Sequence, residues 1–355
     1  MKKFEKLFPI LFFFCMTFSS VFPLLGGNFI RLAPSENLTD DSPTSPTTSE
    51  VISPISIDGN DQLNESSYTT GNGTYDDPYV IEDYVINASD AHGIYIRNTD
   101  AYLIIRNCTV ENGSANSNNG MHFYNCKNVN IMNNTLMINA YGILLSSSSN
   151  NMISSNVCFN NSGSGIYLVG SSCNNSIVRN NCSKNEDDPG IELCSSSNNN
   201  EIINNTCSEN DWGISLDSSI NNTISWNNCS NNSYAGIGLV SSSNNTIFRN
   251  NCSHNDLNGI ILDSAINNTV LGNNCSYNGD GLHLDSSNNN TILGNNCSNN
   301  GDDGIHLSSS NGTLISGNNC SNNNVYGIFL YSPSFYNTIS ANNCSKNRYG
   351  VGLDG

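Results

Sequence analysis

One short pattern, glycine-aliphatic-x-aliphatic, returns twelve times along the chain at an almost constant step. It reads GIYI at Gly93, GMHF at Gly120, GILL at Gly142, GIYL at Gly165, GIEL at Gly190 and GISL at Gly213. It continues as GIGL at Gly236, GIIL at Gly259, GLHL at Gly281, GIHL at Gly304, GIFL at Gly327 and GVGL at Gly350. The steps are 27, 22, 23, 25, 23, 23, 23, 22, 23, 23 and 23 residues. Self-similarity of this kind marks an architecture in which each repeat is one structural unit stacked on its neighbour.

Within a repeat the order is fixed. GIxL is followed by a Ser/Asn turn such as Ser241–Asn245, then Thr246–Ile247, then Asn250–Ser253, then a polar turn to the next glycine. The apolar pieces are three to five residues long and bounded by turn formers, which is a strand signature rather than a helix signature. Asn and Gly tolerate left-handed backbone angles and suit the corners. Three short strands and three corners in about 23 residues make one coil of a parallel β-helix, with equivalent strands stacked at about 4.8 Å. The inward ladder expected from this includes Ile191, Ile214, Ile237, Ile260, Leu282 and Ile305. The fold class is therefore all-β, a single-stranded parallel β-helix of about 11–12 coils of 22–25 residues. A leucine-rich repeat of similar length needs an LxxLxL pattern, and the residues after GIxL here are Ser and Asn.

Composition fits a stacked unit better than a compact globule. The 355 residues include 68 Asn and 53 Ser, and only 37% are hydrophobic. One such coil cannot bury its apolar face, but many stacked coils can. The 30 acidic residues outnumber 12 Lys and Arg. A phosphate-binding surface needs clustered basic residues, so nucleic acid is excluded as a partner.

The N-terminus reads differently. Lys2, Lys3 and Lys6 precede an uncharged apolar run from Leu7 to Phe18, which matches a secretory signal or anchor over residues 1–25. The stretch APSENLTDDSPTSPTTSEVISP lacks apolar periodicity and reads as a disordered linker over residues 26–56. That leaves 57–355 for the β-helix. The chain stops just after Gly350 opens a new coil, so the β-helix is expected to continue there or to be covered. Contact with a membrane is expected only through the N-terminal segment.

Residues 71–98, GNGTYDDPYVIEDYVINASDAHGIYIRN, resemble the entry segment of the NosD-like family of secreted right-handed β-helix proteins. The downstream NNTIxxNNCSxNxxxGIxL units resemble that family's repeats, so the likeness spans about 71–355. The resemblance implies a right-handed coil. It also implies relatives that range from periplasmic copper-handling accessory proteins to carbohydrate-binding and sugar-hydrolysis modules, so it narrows the fold far more than the function.

Fourteen cysteines in an exported chain ordinarily suggest disulfides. Here Cys158, Cys182, Cys207, Cys229, Cys252, Cys275, Cys297, Cys320 and Cys344 fall 22–25 residues apart. That spacing reads as an inward thiol ladder, with Cys108 opening the column and Thr135 on its second rung. Disulfide pairing and soft-metal binding remain alternatives. Cys126, Cys173 and Cys194 lie off the column, and a Cys173–Cys194 pair is one option whose proximity the sequence does not establish. Asn-x-Ser/Thr also recurs. Asn181, Asn228, Asn251, Asn274, Asn296, Asn319 and Asn343 form an NCS column, and Asn221, Asn244, Asn267 and Asn289 form an NNT column. Either the repeat happens to spell the acceptor motif or the surface is glycosylated.

Chemistry is expected on the outward positions of GIxL. His283 and Asp285 project from one strand, His306 stacks a coil above His283, and Asp263 sits a coil below Asp285. These four are the candidate acid/base residues for a sugar substrate. His283 and His306 with Asp280 and Asp303 are the candidate ligands for Cu or Zn. The acidic corner residues Asp187, Asp188, Asp211, Asp256, Asp280, Asp302 and Asp303 suggest Ca²⁺ or a solubilising edge. Tyr95, Tyr167, Phe329 and Tyr331 are the candidate sugar-stacking residues. No insertion is long enough to wall a groove. The expected role is thus structural or carbohydrate-binding, secreted or at the cell surface, with extracellular glycans or cell-envelope components as partners. A polysaccharide-active hydrolase, lyase or epimerase, and the copper-handling role implied by the resemblance, stand as alternatives.

Overall fold

A computed structural model describes residues 51–185 and 187–354 of the chain. The signal segment and most of the linker lie outside the described residues. The described part is a parallel β-helix built from three sheets. A 13-stranded sheet carries the GIxL strands from Ile55–Asp58 to Tyr349–Asp354. A 12-stranded sheet carries the Thr-Ile strands from Tyr79–Glu82 to Thr338–Ser340. A six-stranded sheet runs from Val51–Ile52 to Asn181–Ser183 and continues upward as single bridges from Asn181 through Thr206 and Asn228 to Asn343. Every strand pair is parallel and in register, for example Ile237↔Ile260, Ile247↔Val270 and Cys158↔Cys182.

The coil begins earlier than the sequence suggests. Val51–Ile52 pairs with Val85–Ile86, and Ile55–Asp58 pairs with Ile94–Arg97. Residues 51–56 therefore belong to the β-helix rather than to the linker. Pro54 and the missing GIxL pattern hide them. A two-turn helix, Gly59–Glu65, follows and buries Leu63 in the first coil.

Corners form where the backbone turns left-handed. In one coil these residues are Ser241 (φ 48°), Asn244 (57°), Arg249 (55°) and His254 (61°). Inside each corner stands a column of buried Asn. Asn250 shows the pattern: its Oδ1 accepts from the Asn227 backbone N–H at 2.9 Å, and its Nδ2 donates to the Ile224 carbonyl at 2.9 Å. Asn245 and Asn278 do the same at the other two corners. These amides satisfy backbone groups that the turns leave unpaired, which a hydrocarbon side chain cannot do. That is why Asn dominates the composition.

Between the corners the core is aliphatic and sulfur. Ile237, Leu239, Ile247 and Cys252 of one coil are all completely buried. The cysteine column differs from expectation at its foot. Leu136 pairs with Val110 below and Cys158 above, so these two hydrocarbons hold the lower rungs. Cys108 instead lies beneath the Asn column, its N–H donating to Asn134 Oδ1 at 2.9 Å. All thirteen described cysteines are free thiols. Burial pushes the thiols of Cys182, Cys207, Cys229 and Cys252 well above their ordinary range. Cys173 and Cys194 are not bridged; the Cys194 sulfur meets the Tyr167 hydroxyl at 2.8 Å, and Cys173 Sγ donates to the Ser196 carbonyl.

Candidate metal centre

The outward face of the GIxL sheet carries two columns that matter. One is the x position of GIxL. The other is the residue just ahead of the glycine, which reads Trp212, Ala235, Asn258, Asp280, Asp303, Tyr326 and Tyr349 on successive coils. Where Asp sits ahead of the glycine and His sits at x, the three-residue spacing brings them together.

This happens on two adjacent coils. His283 Nδ1 lies 3.1 Å from Asp280 Oδ2, and His306 Nδ1 lies 3.1 Å from Asp303 Oδ2. His283 and His306 are register partners, and their rings stack at 4.7 Å and 24°. Each carboxylate is fixed by the next coil. Asp280 Oδ1 accepts from the Asp303 N–H at 2.9 Å, and Asp303 Oδ1 accepts from the Tyr326 N–H at 2.9 Å. Asp303 is buried, and His283, His306 and Asp280 are partly so.

The electrostatics follow from this geometry. Burial disfavours charge on His306, but the hydrogen bond that its ring donates to Asp303 and the charges of Asp280, Asp303 and Asp285 override it and hold the imidazole above its ordinary value. Asp302 is pushed up by desolvation and by its neighbours Asp280 and Asp303. The carboxylates of Asp280, Asp285 and Asp303 gather negative charge around the two imidazoles, which favours a cation.

One ligand atom each from Asp280, His283 and His306 lies within 4.8 Å of the other two. Ligands of one Zn²⁺ or Cu²⁺ ion sit about 2.0–2.2 Å from it, so the three side chains would draw inward around the ion. Two imidazoles and a carboxylate suit a borderline divalent ion rather than Ca²⁺, which wants six or more oxygens. Among the described residues this is the one such group of three donors. The other acidic corner residues do not converge. Asp187, Glu209, Asp211 and Asp256 instead line an open hollow of about 430 Å³ at another corner.

Asp263 and Asp285 are register partners on the neighbouring outward column, but their carboxylates bond the hydroxyls of Ser264 and Ser286 at 3.0 and 3.2 Å. The aromatic candidates are dispersed. Tyr95 stacks on His122 at 4.9 Å, and Tyr167 packs beside Tyr141 at 5.0 Å, both many coils below the histidine pair. Phe329 meets His306 edge-on at 5.1 Å, and Tyr331 lies 6.3 Å from Phe329. Tyr326, which the sequence reading passed over, stacks on Phe329 at 4.5 Å and on Tyr349 at 5.0 Å. Its signal was its place in the column that holds Asp280 and Asp303.

No helix of the described residues is long and apolar enough to cross a membrane. No curated protein sequence matches the chain significantly. Solved structures share its fold. The A-module of the Azotobacter vinelandii mannuronan C-5 epimerase AlgE4 superposes with a TM-score of 0.51 at 16% identity, over 85% of this chain and 88% of that one. The periplasmic alginate epimerase AlgG gives 0.54 at 15%, over 83% and 85%. The Dettilon tailspike protein gp208 gives 0.58 at 14%, over 77% and 61%. At such identities the likeness is one of fold alone. The family model described as periplasmic copper-binding protein (NosD) matches residues 70–258 and 249–355, and the chain belongs to the NosD family.

Proposed function

We infer that the protein is an extracytoplasmic β-helix that binds one transition-metal ion of the Cu²⁺ or Zn²⁺ class at Asp280, His283 and His306. The observation that carries this reading is the convergence of three donor atoms from two adjacent coils within 4.8 Å. Membership of a family described as periplasmic and copper-binding supports both the ion and the location. His306 Nδ1 lies 3.1 Å from Asp303 Oδ2 and 3.9 Å from Asp280 Oδ2, so Asp303 keeps this ring nitrogen beside the Asp280 carboxylate. The ion requires neutral imidazoles, so uptake displaces any proton on His306, and affinity falls as pH drops through the raised His306 value.

The test is elemental analysis of the full chain after equilibration with Cu²⁺ or Zn²⁺ and removal of free ion. One ion per chain is expected, with imidazole nitrogen coupling in the Cu²⁺ EPR spectrum. The His283→Ala/His306→Ala double variant should lose both while keeping its β-sheet circular dichroism. Absence of stoichiometric uptake, or uptake unchanged in the double variant, would refute the reading.

A second reading is favoured by a different observation. Phe329, Tyr326, Tyr331 and Tyr349 gather beside the histidine pair on the same outer face. A neutral glycan chain lying along that face would meet these rings, and Asp303–His306 would serve as an acid/base pair. Glycan-array binding that survives metal removal and is lost in Phe329→Ala supports it. Binding that needs the ion and ignores Phe329 argues against it.

A further inference from the structure

Two of the columns in which the repeat spells the Asn-x-Ser/Thr acceptor motif meet opposite fates in the fold. From Asn251 upward in the NCS column the side-chain amides are spent on one another. Asn251 Nδ2 donates to Asn228 Oδ1 at 2.8 Å, Asn274 Nδ2 to Asn251 Oδ1 at 2.9 Å, and Asn296 Nδ2 to Asn274 Oδ1 at 2.9 Å. Their motif serines are spent as well. Ser253 and Ser276 donate back to Asn251 and Asn274 Oδ1 at 2.9 and 2.8 Å. A sugar on any of these nitrogens would replace a donor that links adjacent coils.

The NNT column is the reverse. Asn221, Asn244, Asn267 and Asn289 are exposed corner residues with φ of 58°, 57°, 57° and 56°. Among the described residues their side-chain amides enter no hydrogen bond. The middle Asn of each triplet, such as Asn245, points inward as a ladder member, while Thr246 returns to the outer side beside Asn244. Each triplet thus presents a free amide and a hydroxyl two residues on, both facing solvent.

We propose that Asn221, Asn244, Asn267 and Asn289 are N-glycan acceptors of this chain and that Asn251, Asn274, Asn296, Asn319 and Asn343 of the NCS column are not modified. The reaction takes its sugar from a lipid-diphosphate-linked oligosaccharide. The Asn Nδ2 forms a bond to sugar C1, the C1–O bond to the diphosphate breaks, the diphosphate leaves with the bonding pair, and the amide gives up one proton. The assignment does not depend on when transfer occurs. A chain glycosylated on the NCS column before folding could not close its ladder, whereas one glycosylated on the NNT column could. Coils stack at about 4.8 Å, less than the width of a sugar ring with its substituents, so neighbouring acceptors exclude each other. No single molecule should carry glycans at all four positions.

The experiment is glycopeptide mass spectrometry on the full chain, exported by a host that carries out asparagine-linked glycosylation. Glycan is expected on these four NNT peptides and absent from the Asn251, Asn274, Asn296, Asn319 and Asn343 peptides, with at most two of the four NNT sites filled on any one molecule. Changing all four to glycine should abolish glycan at those positions. The fold should survive, because Gly312 already takes the same corner position one coil above Asn289 (φ 65°). Changing Thr223, Thr246, Thr269 and Thr291 to Val removes the motif by a second route and should abolish it equally. Glycan on Asn251 or Asn274, or none on the chain, would overturn the proposal.

Discussion

The imidazoles of His283 and His306, separated by 23 residues in sequence, lie face to face at 4.7 Å, each held through Nδ1 by the Asp three residues earlier. The stacking comes from the coil period, and the Asp–His contact comes from the three-residue spacing within a strand. Replacing Asp303 by Asn should bring the His306 pKa down toward its ordinary value, because the carboxylate is its main support against burial. An NMR titration of the ring protons reads this directly. An unchanged His306 titration would show that Asp303 does not govern the pair.

Two histidines give the fold opposite pH dependences. Burial, assisted by the neighbouring His92, pushes His122 down to about 4, and neither of its ring nitrogens has a hydrogen-bond partner. Its folded pKa lies below the unfolded value of about 6.5, so the unfolded chain takes up the proton first. Stability is lost as pH falls from about 6.5 toward 4. His306 has a raised folded pKa, so its contribution is complete below the unfolded value and is lost as pH rises through the folded one. His122→Phe should therefore raise the melting temperature more at pH 5 than at pH 8. An equal shift at both pH values would contradict the assignment.

The coil period was readable because glycine, aliphatic and cysteine positions repeat with little variation. The structure also explains why the glycine is there. A Cβ on Gly259 would come within 2.5 Å of the Gly281 carbonyl oxygen and 2.8 Å of Cys275 Cβ. Gly259→Ala should then cost about 1–3 kcal/mol through overpacking. Cys275→Val should be milder, since Val110 holds the same slot in a lower coil beside Gly93. Chemical denaturation midpoints would separate the two, and a neutral Gly259→Ala would show that the interior is looser than described.

Other features escaped the sequence for physical reasons. Cys108 matched the cysteine spacing closely enough to be placed in the ladder, yet two residues of offset put it under the Asn column instead. Val51–Ile52 and Ile55–Asp58 lack the repeat's signature because they open the coil rather than continue it. Tyr326 was invisible as a site residue because its role comes from the coil below, where the same position is an Asp. Asp285 was grouped with the histidines by rung, and only its bond to Ser286 reveals that its carboxylate is engaged elsewhere.

The Asn ladders predict an asymmetry between neighbouring positions. Asn250→Ala removes an acceptor for the Asn227 N–H and a donor to the Ile224 carbonyl, both buried. Each stranded group costs about 1–3 kcal/mol. Asn244→Gly, six residues earlier and exposed, should stay within about 0.5 kcal/mol. Equal losses for the two would show that the buried amides are not what closes the corners.

The central claim is that adjacent coils assemble one metal centre from Asp280, His283 and His306. Anomalous diffraction from crystals equilibrated with Cu²⁺ or Zn²⁺, collected on both sides of the metal's absorption edge, tests it most directly. The account predicts a single strong peak within bonding distance of the His283 and His306 nitrogens and the Asp280 carboxylate. A peak elsewhere on the chain, or none between the two imidazoles at saturating ion, would contradict it.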